Sequence, residues 1–223
     1  MAIVWPCPLS VDAYARAGRQ VVVPRPDCQT CGTAMTFWSG YWRHVRAAGG
    51  RCRRIFVPRA RCVGCAATHA LLPGFVLAHR VDEVGTVGAV LEQVSGGAGG
   101  VRPEAKRAGV PHTTARGWVR RLGRRATQLA VGFAALAVEL GGEAIEPGDD
   151  PQAWAFAAIR AAFRAATALP GWAGLGRWRF ACCVSGGQLL AANTTSPYLV
   201  VGKRRFLPPA PATGRRDGGR DGP

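Results

Sequence analysis

Four cysteines in two pairs carry the clearest chemistry in this sequence. Cys28-Gln-Thr-Cys31-Gly32 and Cys62-Val-Gly-Cys65 are two Cys-x2-Cys turns with 30 residues between them. Two cysteines at this spacing on a tight turn aim both sulfurs at one point. Two such turns supply Cys28, Cys31, Cys62 and Cys65 as the closed tetrahedral shell of a structural Zn2+. Gly32 stands where such a turn needs a positive φ. Iron is the runner-up metal, since thiolate shells hold it too. The competing account is two unrelated pairs of buried or redox thiols. It is weakened because both pairs border one β-rich segment, and a redox pair would stand alone at a helix start. His69, four residues past Cys65, reads as a connector residue because four cysteines already fill the shell. Cys7, Cys52, Cys182 and Cys183 have no paired spacing. Adjacent Cys182 and Cys183 read as small apolar residues on opposite faces of a strand.

A second pattern lies at Pro103–Leu122. Ala105 is small enough for a second helix to cross close by, Gly109 breaks the first helix, and Val110 plugs the gap. Trp118, Val119 and Leu122 give the second helix an inward face. This is the pattern of a helix-turn-helix, whose second helix enters the major groove of DNA. His112, Thr113, Arg116 and Arg120 remain on the other side as base-reading candidates, with Arg116 and Arg120 four residues apart on one face. A bidentate arginine–guanine pair is worth about 1–3 kcal/mol of discrimination. Arg121, Arg124 and Arg125 continue the basic run and suit phosphates. The alternative is an ordinary amphipathic helical hairpin with a solvated basic face. Pro111 replaces the usual Ser or Thr cap, and Gly117 costs the helix about 1 kcal/mol.

Charge points the same way. The 223 residues hold 29 basic and 13 acidic side chains, a net charge of +16. That excess implies a polyanionic partner. The arginine preference itself follows the Ala, Gly and Pro richness and says less. Residues 1–80 carry 11 Arg against 2 Asp, whereas residues 81–150 are nearly balanced. Hydrophobic residues make up 48% of the chain, enough for a buried core. The longest apolar run, Leu129–Leu140, is too short for a bilayer, which needs about 20 residues. No signal peptide is recognisable, so the expected location is cytoplasmic and nucleoid-associated, with no membrane partner.

The elements that must position these residues give an α+β fold class. It comprises a small zinc-ribbon β-module, a helical helix-turn-helix domain, and a C-terminal helix plus β-hairpin. Residues 1–26 read as a lead-in, with a short strand in Val21-Val22-Val23. Residues 27–80 form the zinc-ribbon-like module: two antiparallel strands, Met35–Val45 and Arg51–Arg61, turn at Gly49-Gly50, and an apolar connector covers 67–80. Trp38, Tyr41 and Trp42 read as the core of so small a module. Residues 81–142 hold a helix at 82–95, the helix-turn-helix at 102–126 and a separate apolar helix at about 127–140, which is buried or contacts a partner. Residues 150–207 begin with a helix capped by Asp150-Pro151 and end in a hairpin of Trp178–Val184 and Gln188–Thr194. Residues 208–223 read as a disordered basic tail.

The arrangement resembles small actinobacterial proteins, associated with mobile elements, that join an N-terminal zinc-ribbon-like domain of unknown function to a helix-turn-helix. The resemblance rests on Cys28-x2-Cys31-Gly32, the strand with Trp38 and Tyr41, Arg61-Cys62-x2-Cys65, Thr68-His69-Ala70-Leu71-Leu72-Pro73 and the helix-turn-helix, and covers about residues 21–126. It implies DNA binding in a transposase or recombinase context, and no catalytic residues. A metal-dependent transposase needs three convergent carboxylates; residues 151–202 contain none. Tyr198 with Arg204 and Arg205 is an incomplete recombinase set. The expectation is a non-enzymatic, zinc-containing protein that binds double-stranded DNA, as an accessory to a mobile element. A second copy of the chain and a transposase or recombinase on a separate chain are the expected protein partners. The alternatives are a transcriptional regulator, a degenerate or truncated transposase, and an RNA-binding zinc ribbon stacking bases on Trp38, Tyr41 and Trp42.

Overall fold

A computed structural model describes residues 2–191. It is a mixed α+β chain in which one four-stranded sheet packs beside a helical unit. The strands are β1 (Ala2–Trp5), β2 (Met35–Arg46), β3 (Cys52–Cys62) and β4 (Thr68–Pro73), in the spatial order β1-β4-β3-β2. The expected hairpin is β2 and β3, antiparallel from Met35 opposite Cys62 to Arg46 opposite Cys52. Aromatic and β-branched residues favour the pleat, and Gly49 and Gly50 supply the positive φ of the turn, at 73° and 77°. The alternation puts Ile55 and Val57 of β3 fully inside.

Two expectations around the hairpin are corrected. Val21–Val23 is not a strand. The extra strand is β1, which runs parallel to β4 with Ala2 opposite Ala70 and Trp5 opposite Pro73. The supposed connector at 67–80 contains β4 itself, so His69 is a buried strand residue paired with Ala60. A short helix, α1 (Val11–Ala17), closes the lead-in, its first turn capped by Ser10, whose Oγ accepts from the Ala13 amide at 3.1 Å. Tyr14 from this helix is fully buried and donates its hydroxyl to the Phe56 carbonyl of β3.

The helical unit is α2 (Val84–Ser95), α3 (Val101–Ala108), α4 (His112–Glu139), α5 (Pro151–Ala166) and α6 (Arg177–Val184). The apolar face of α2 read from the sequence is buried at Val84, Val87 and Leu91. Helix α3 ends at Gly109, which is left-handed with φ 68°, and Val110 turns inward as expected. Helix α4 then runs 28 residues without a break. The two separate helices expected at 112–126 and 127–140 are therefore one. Nothing between Leu122 and Leu129 stops a helix, and the buried stripe Trp118, Leu122, Leu129, Phe133, Leu136 stays on one side throughout.

That stripe is used inside the molecule: the second half of α4 packs along α5. Alanines 155, 158, 161, 162 and 166 of α5 are all buried and let the two axes approach. Asp150 caps α5 through the Gln152 amide at 2.8 Å, with Pro151 in the first turn, as its sequence implies.

The strand expected at Trp178–Val184 is helix α6. Every residue from Phe180 to Val184 is buried, and an apolar run of this length carries no period that separates strand from buried helix. Cys182 and Cys183 thus lie on a helix; both are buried, as small apolar residues should be. The second expected strand is not formed where it is described: residues 188–191 are a turn. Its last three residues, the 208–223 tail, Tyr198, Arg204 and Arg205 fall outside the described residues.

Several contacts join the sheet and its lead-in to the helices. Arg46 of β2 meets Asp82, just before α2, at 2.6 Å. Arg179 of α6 donates to the Leu9 carbonyl at 2.8 Å and pairs with Glu83 at 3.5 Å. The hairpin tip abuts the turn between α3 and α4 so closely that a Cβ on Gly109 would lie 2.9 Å from the Gly50 nitrogen.

Candidate metal centre and basic helix face

The two cysteine turns have the same local construction. The Gly32 amide donates to the Cys28 carbonyl at 2.8 Å, and the Ala66 amide to the Cys62 carbonyl at 3.1 Å. Both turns are closed by the amide of their first cysteine, which donates to Thr33 in one and to Ala67 in the other, each at 2.9 Å. In each turn one amide also points at a thiol: Thr30 N–H at Cys28 Sγ (3.4 Å) and Cys65 N–H at Cys62 Sγ (3.5 Å). Residue five of each turn is left-handed: Gly32 at φ 76°, as expected, and Ala66 at φ 59°.

The first turn precedes β2 and the second ends β3, whose Met35–Cys62 pairing closes the hairpin, so the sheet register brings the two turns together. All four sulfurs lie within 4.8 Å of one another, with Cys28–Cys65 at 3.5 Å and Cys31–Cys62 at 3.4 Å. A tetrahedron with metal–sulfur bonds of about 2.3 Å has edges of about 3.8 Å. The residues present therefore fit a four-thiolate metal site.

The electrostatics agree with that fit. Amide donation from Thr30 and then Cys31 draws the Cys28 thiol down to about 7. The Thr33 hydroxyl and amide draw Cys31 down to about 6. Cys65 is favoured as thiolate by the Ala67 amide, but its interaction with the sulfur of Cys28, together with burial, pushes it up to about 12. Two sulfurs are poised as anions and a third holds its proton because of them. A cation at the centre relieves that conflict.

His69 takes no part in the cluster. It is fully buried and neither ring nitrogen has a hydrogen-bond partner among the described residues.

On α4, Thr113, Arg116, Arg120 and Arg124 are exposed and His112 is half-buried. Arg116, Arg120 and Arg124 recur every four residues and form one ridge opposite buried Trp118 and Leu122. No salt bridge among the described residues engages them. Arg121 is half-buried beside the ridge, its proton affinity lowered first by burial, then by the charges of Arg80, Arg120 and Arg124. Arg80 is a member of this positive cluster that sequence spacing could not reveal, since it lies 40 residues from Arg120. Arg125 departs from the expected phosphate role. It is 8% exposed and donates to the Ala191 carbonyl at 2.8 Å, holding the segment after α6.

The hairpin aromatics also depart from expectation. Instead of forming the module's core, Phe37, Trp38, Tyr41 and Trp42 are 49%, 59%, 41% and 37% exposed. They lie on β2, the edge strand, and the core below is filled by Met35, Ile55, Val57 and the α1 residue Tyr14.

A mixed α+β chain with a four-cysteine cluster at the base of a long hairpin is thus the class these features define. Residues 28–108 match a family model described as Domain of unknown function (DUF6431). The matched segment runs from the first cysteine of the cluster through β2, β3, β4 and α2 to the end of α3, and leaves out β1. No curated protein and no solved structure matches the chain.

Proposed function

We propose that this chain is a zinc-containing, non-enzymatic DNA-binding protein in which α3, the turn at Gly109 and α4 act as a helix-turn-helix. The observation that carries the reading is the ridge of Arg116, Arg120 and Arg124, exposed on the face opposite Trp118 and Leu122. A helix that buries one stripe and offers arginines without acidic partners on the other suits a groove lined by phosphates. Thr113 and Arg116, near the helix start, are the base-reading residues; Arg120, Arg121 and Arg124 hold phosphates. Zinc is the metal proposed for Cys28, Cys31, Cys62 and Cys65, where it would brace the base of the hairpin as a structural ion. Its four-thiolate shell leaves no open position for substrate.

The resemblance to mobile-element proteins makes an accessory role in transposition the proposed context, with a transposase or recombinase as a separate partner. The test is selection of bound sequences from random duplex DNA by the zinc-loaded protein. Enrichment of one motif is expected, with affinity falling steeply as salt rises. Arg116→Ala is expected to lower binding to the selected motif about tenfold, within the range of one arginine–base contact, while changing non-specific binding little. Equal loss on every sequence would refute base reading by Arg116, and retention without a motif would refute sequence recognition.

A further inference from the structure

The hairpin edge presents a surface that the helix-turn-helix reading does not use. Phe37, Trp38 and Tyr41 stand exposed along β2, whose outer edge, among the described residues, is paired at Arg46 with Val81 and Glu83 and with no strand alongside Phe37–Tyr41. A long apolar edge strand in water is an aggregation hazard unless something covers it. The rings are also held in place. The Arg61 guanidinium lies 5.5 Å from the Trp38 ring centroid, and that of Arg54 lies 4.9 Å from that of Trp42. Such cation–π pairs orient an aromatic plane before any ligand arrives. A β-bulge between Phe37 and Ser39 breaks the ladder beside Trp38, which disfavours regular strand addition at this point.

Charge selects the occupant. Residues 35–62 carry seven arginines and no acid; Arg46, Arg51 and Arg53 are paired with Asp82 or Asp12, and no salt bridge among the described residues engages Arg43, Arg54, Arg59 or Arg61. A second copy laid edge to edge would set that charge against its own. A strand of unpaired nucleotides meets both properties at once: every base has a face that stacks on an aromatic ring, and every linkage brings a phosphate for an arginine.

We propose that the β2 edge around Trp38 is a binding site for single-stranded DNA. Bases stack on Trp38 and Tyr41, while Arg61, which shares a face of β3 with Val57, the partner of Tyr41, swings from the Trp38 ring to a phosphate. The site is separate from α4, so the duplex reading and this one stand or fall independently.

The experiment measures binding of the full zinc-loaded chain to a labelled 20-nucleotide thymidine oligomer, with a 20-base-pair duplex and a 20-nucleotide uridine oligomer as the other arms. Trp38→Ala is expected to weaken thymidine-oligomer binding about tenfold, the loss of one good base–aromatic stack, with duplex affinity unchanged. Trp38→Phe should restore part of the loss. Arg116→Ala should leave the thymidine oligomer unaffected. Because Trp38 is exposed, the melting temperature of Trp38→Ala should match wild type. If that variant melts lower, Arg61→Gln replaces it as the deciding variant, with the same expected selectivity. No binding of the oligomer by wild type, equal binding by the variants, or equal losses on oligomer and duplex would overturn the proposal. So would tighter, Trp38-dependent binding of the uridine oligomer, or a wild-type dimer that Trp38→Ala dissociates.

Discussion

Ala66 occupies, in the second cysteine turn, the position that Gly32 fills in the first. Both are left-handed, but only one has the residue suited to it. A Cβ in this conformation costs roughly 1–2 kcal/mol. Gly32→Ala is therefore expected to lower stability by about 1 kcal/mol in denaturant unfolding of the metal-loaded protein. Ala66→Gly should move the other way by less, because glycine's larger unfolded-state entropy returns part of the gain. The thiols make a second prediction. Cys28 and Cys31 are held below the ordinary thiol value, at about 7 and 6, so their thiolate forms persist as pH falls to that range. Cys65 sits above it, at about 12, and must release its proton when a cation enters. Protons and metal thus compete. Metal affinity, read by chelator competition, should weaken as pH falls through 7 to 6, and loading at pH 8 should release protons into weakly buffered solution. These four residues were legible in the sequence because a Cys-x2-Cys turn is a local geometry. The exposure of Trp38 was not, since it depends on β2 being the edge strand and on the bulge beside Trp38, which only the sheet register shows.

Helix α4 divides its labour between faces, and substitutions should divide the same way. Trp118 is 1% exposed, so Trp118→Ala is expected to cost about 3–5 kcal/mol in urea unfolding through the cavity it leaves. Arg120→Gln, on the exposed ridge, should leave the urea midpoint nearly unchanged and weaken duplex binding with a shallower salt dependence. Loss of the midpoint with Arg120→Gln would mean that the ridge is structural. The turn at Gly109 and the inward Val110, Trp118 and Leu122 could be read from spacing, because each follows from local helix rules. The unbroken length of α4 could not: its second half is apolar and its first half basic, and the change of composition mimics a boundary. Helix α6 was hidden for a different reason. A run buried on all sides has no amphipathic period to read, and only its packing among α2, α5 and β1 decides its form.

At the scale of the whole molecule the cysteine cluster and the helices belong to one folded body. The hairpin carries the cysteines at its base and touches the α3–α4 turn at its tip, while Arg46 ties β2 to Asp82. Metal removal by a chelator is therefore expected to lower the midpoint of the helical circular-dichroism signal, not only that of the sheet. Two separate transitions, with the helical one unmoved, would contradict this coupling. Sequence reading divided the chain into consecutive modules because patterns are local. The parallel pairing of β1 with β4, and Arg179 of α6 bonded to Leu9, join residues up to 170 positions apart, and no window of sequence contains both ends.

The hairpin's length has a further consequence. Its 12-residue strand spans about 40 Å at the usual rise of about 3.3 Å per residue, and one turn of duplex DNA advances about 34 Å. With its tip seated against Gly109, the hairpin would, on the proposed DNA-binding function, work as a ruler that sets how far from the α4 contact its far end can meet the same DNA molecule. Each added pair of residues per strand preserves the inward and outward alternation and lengthens the ruler by about 7 Å, or about two base pairs. In a footprint of protein bound to duplex with a single-stranded extension, such an insertion should move the outer boundary of protection by that amount and leave the inner boundary fixed.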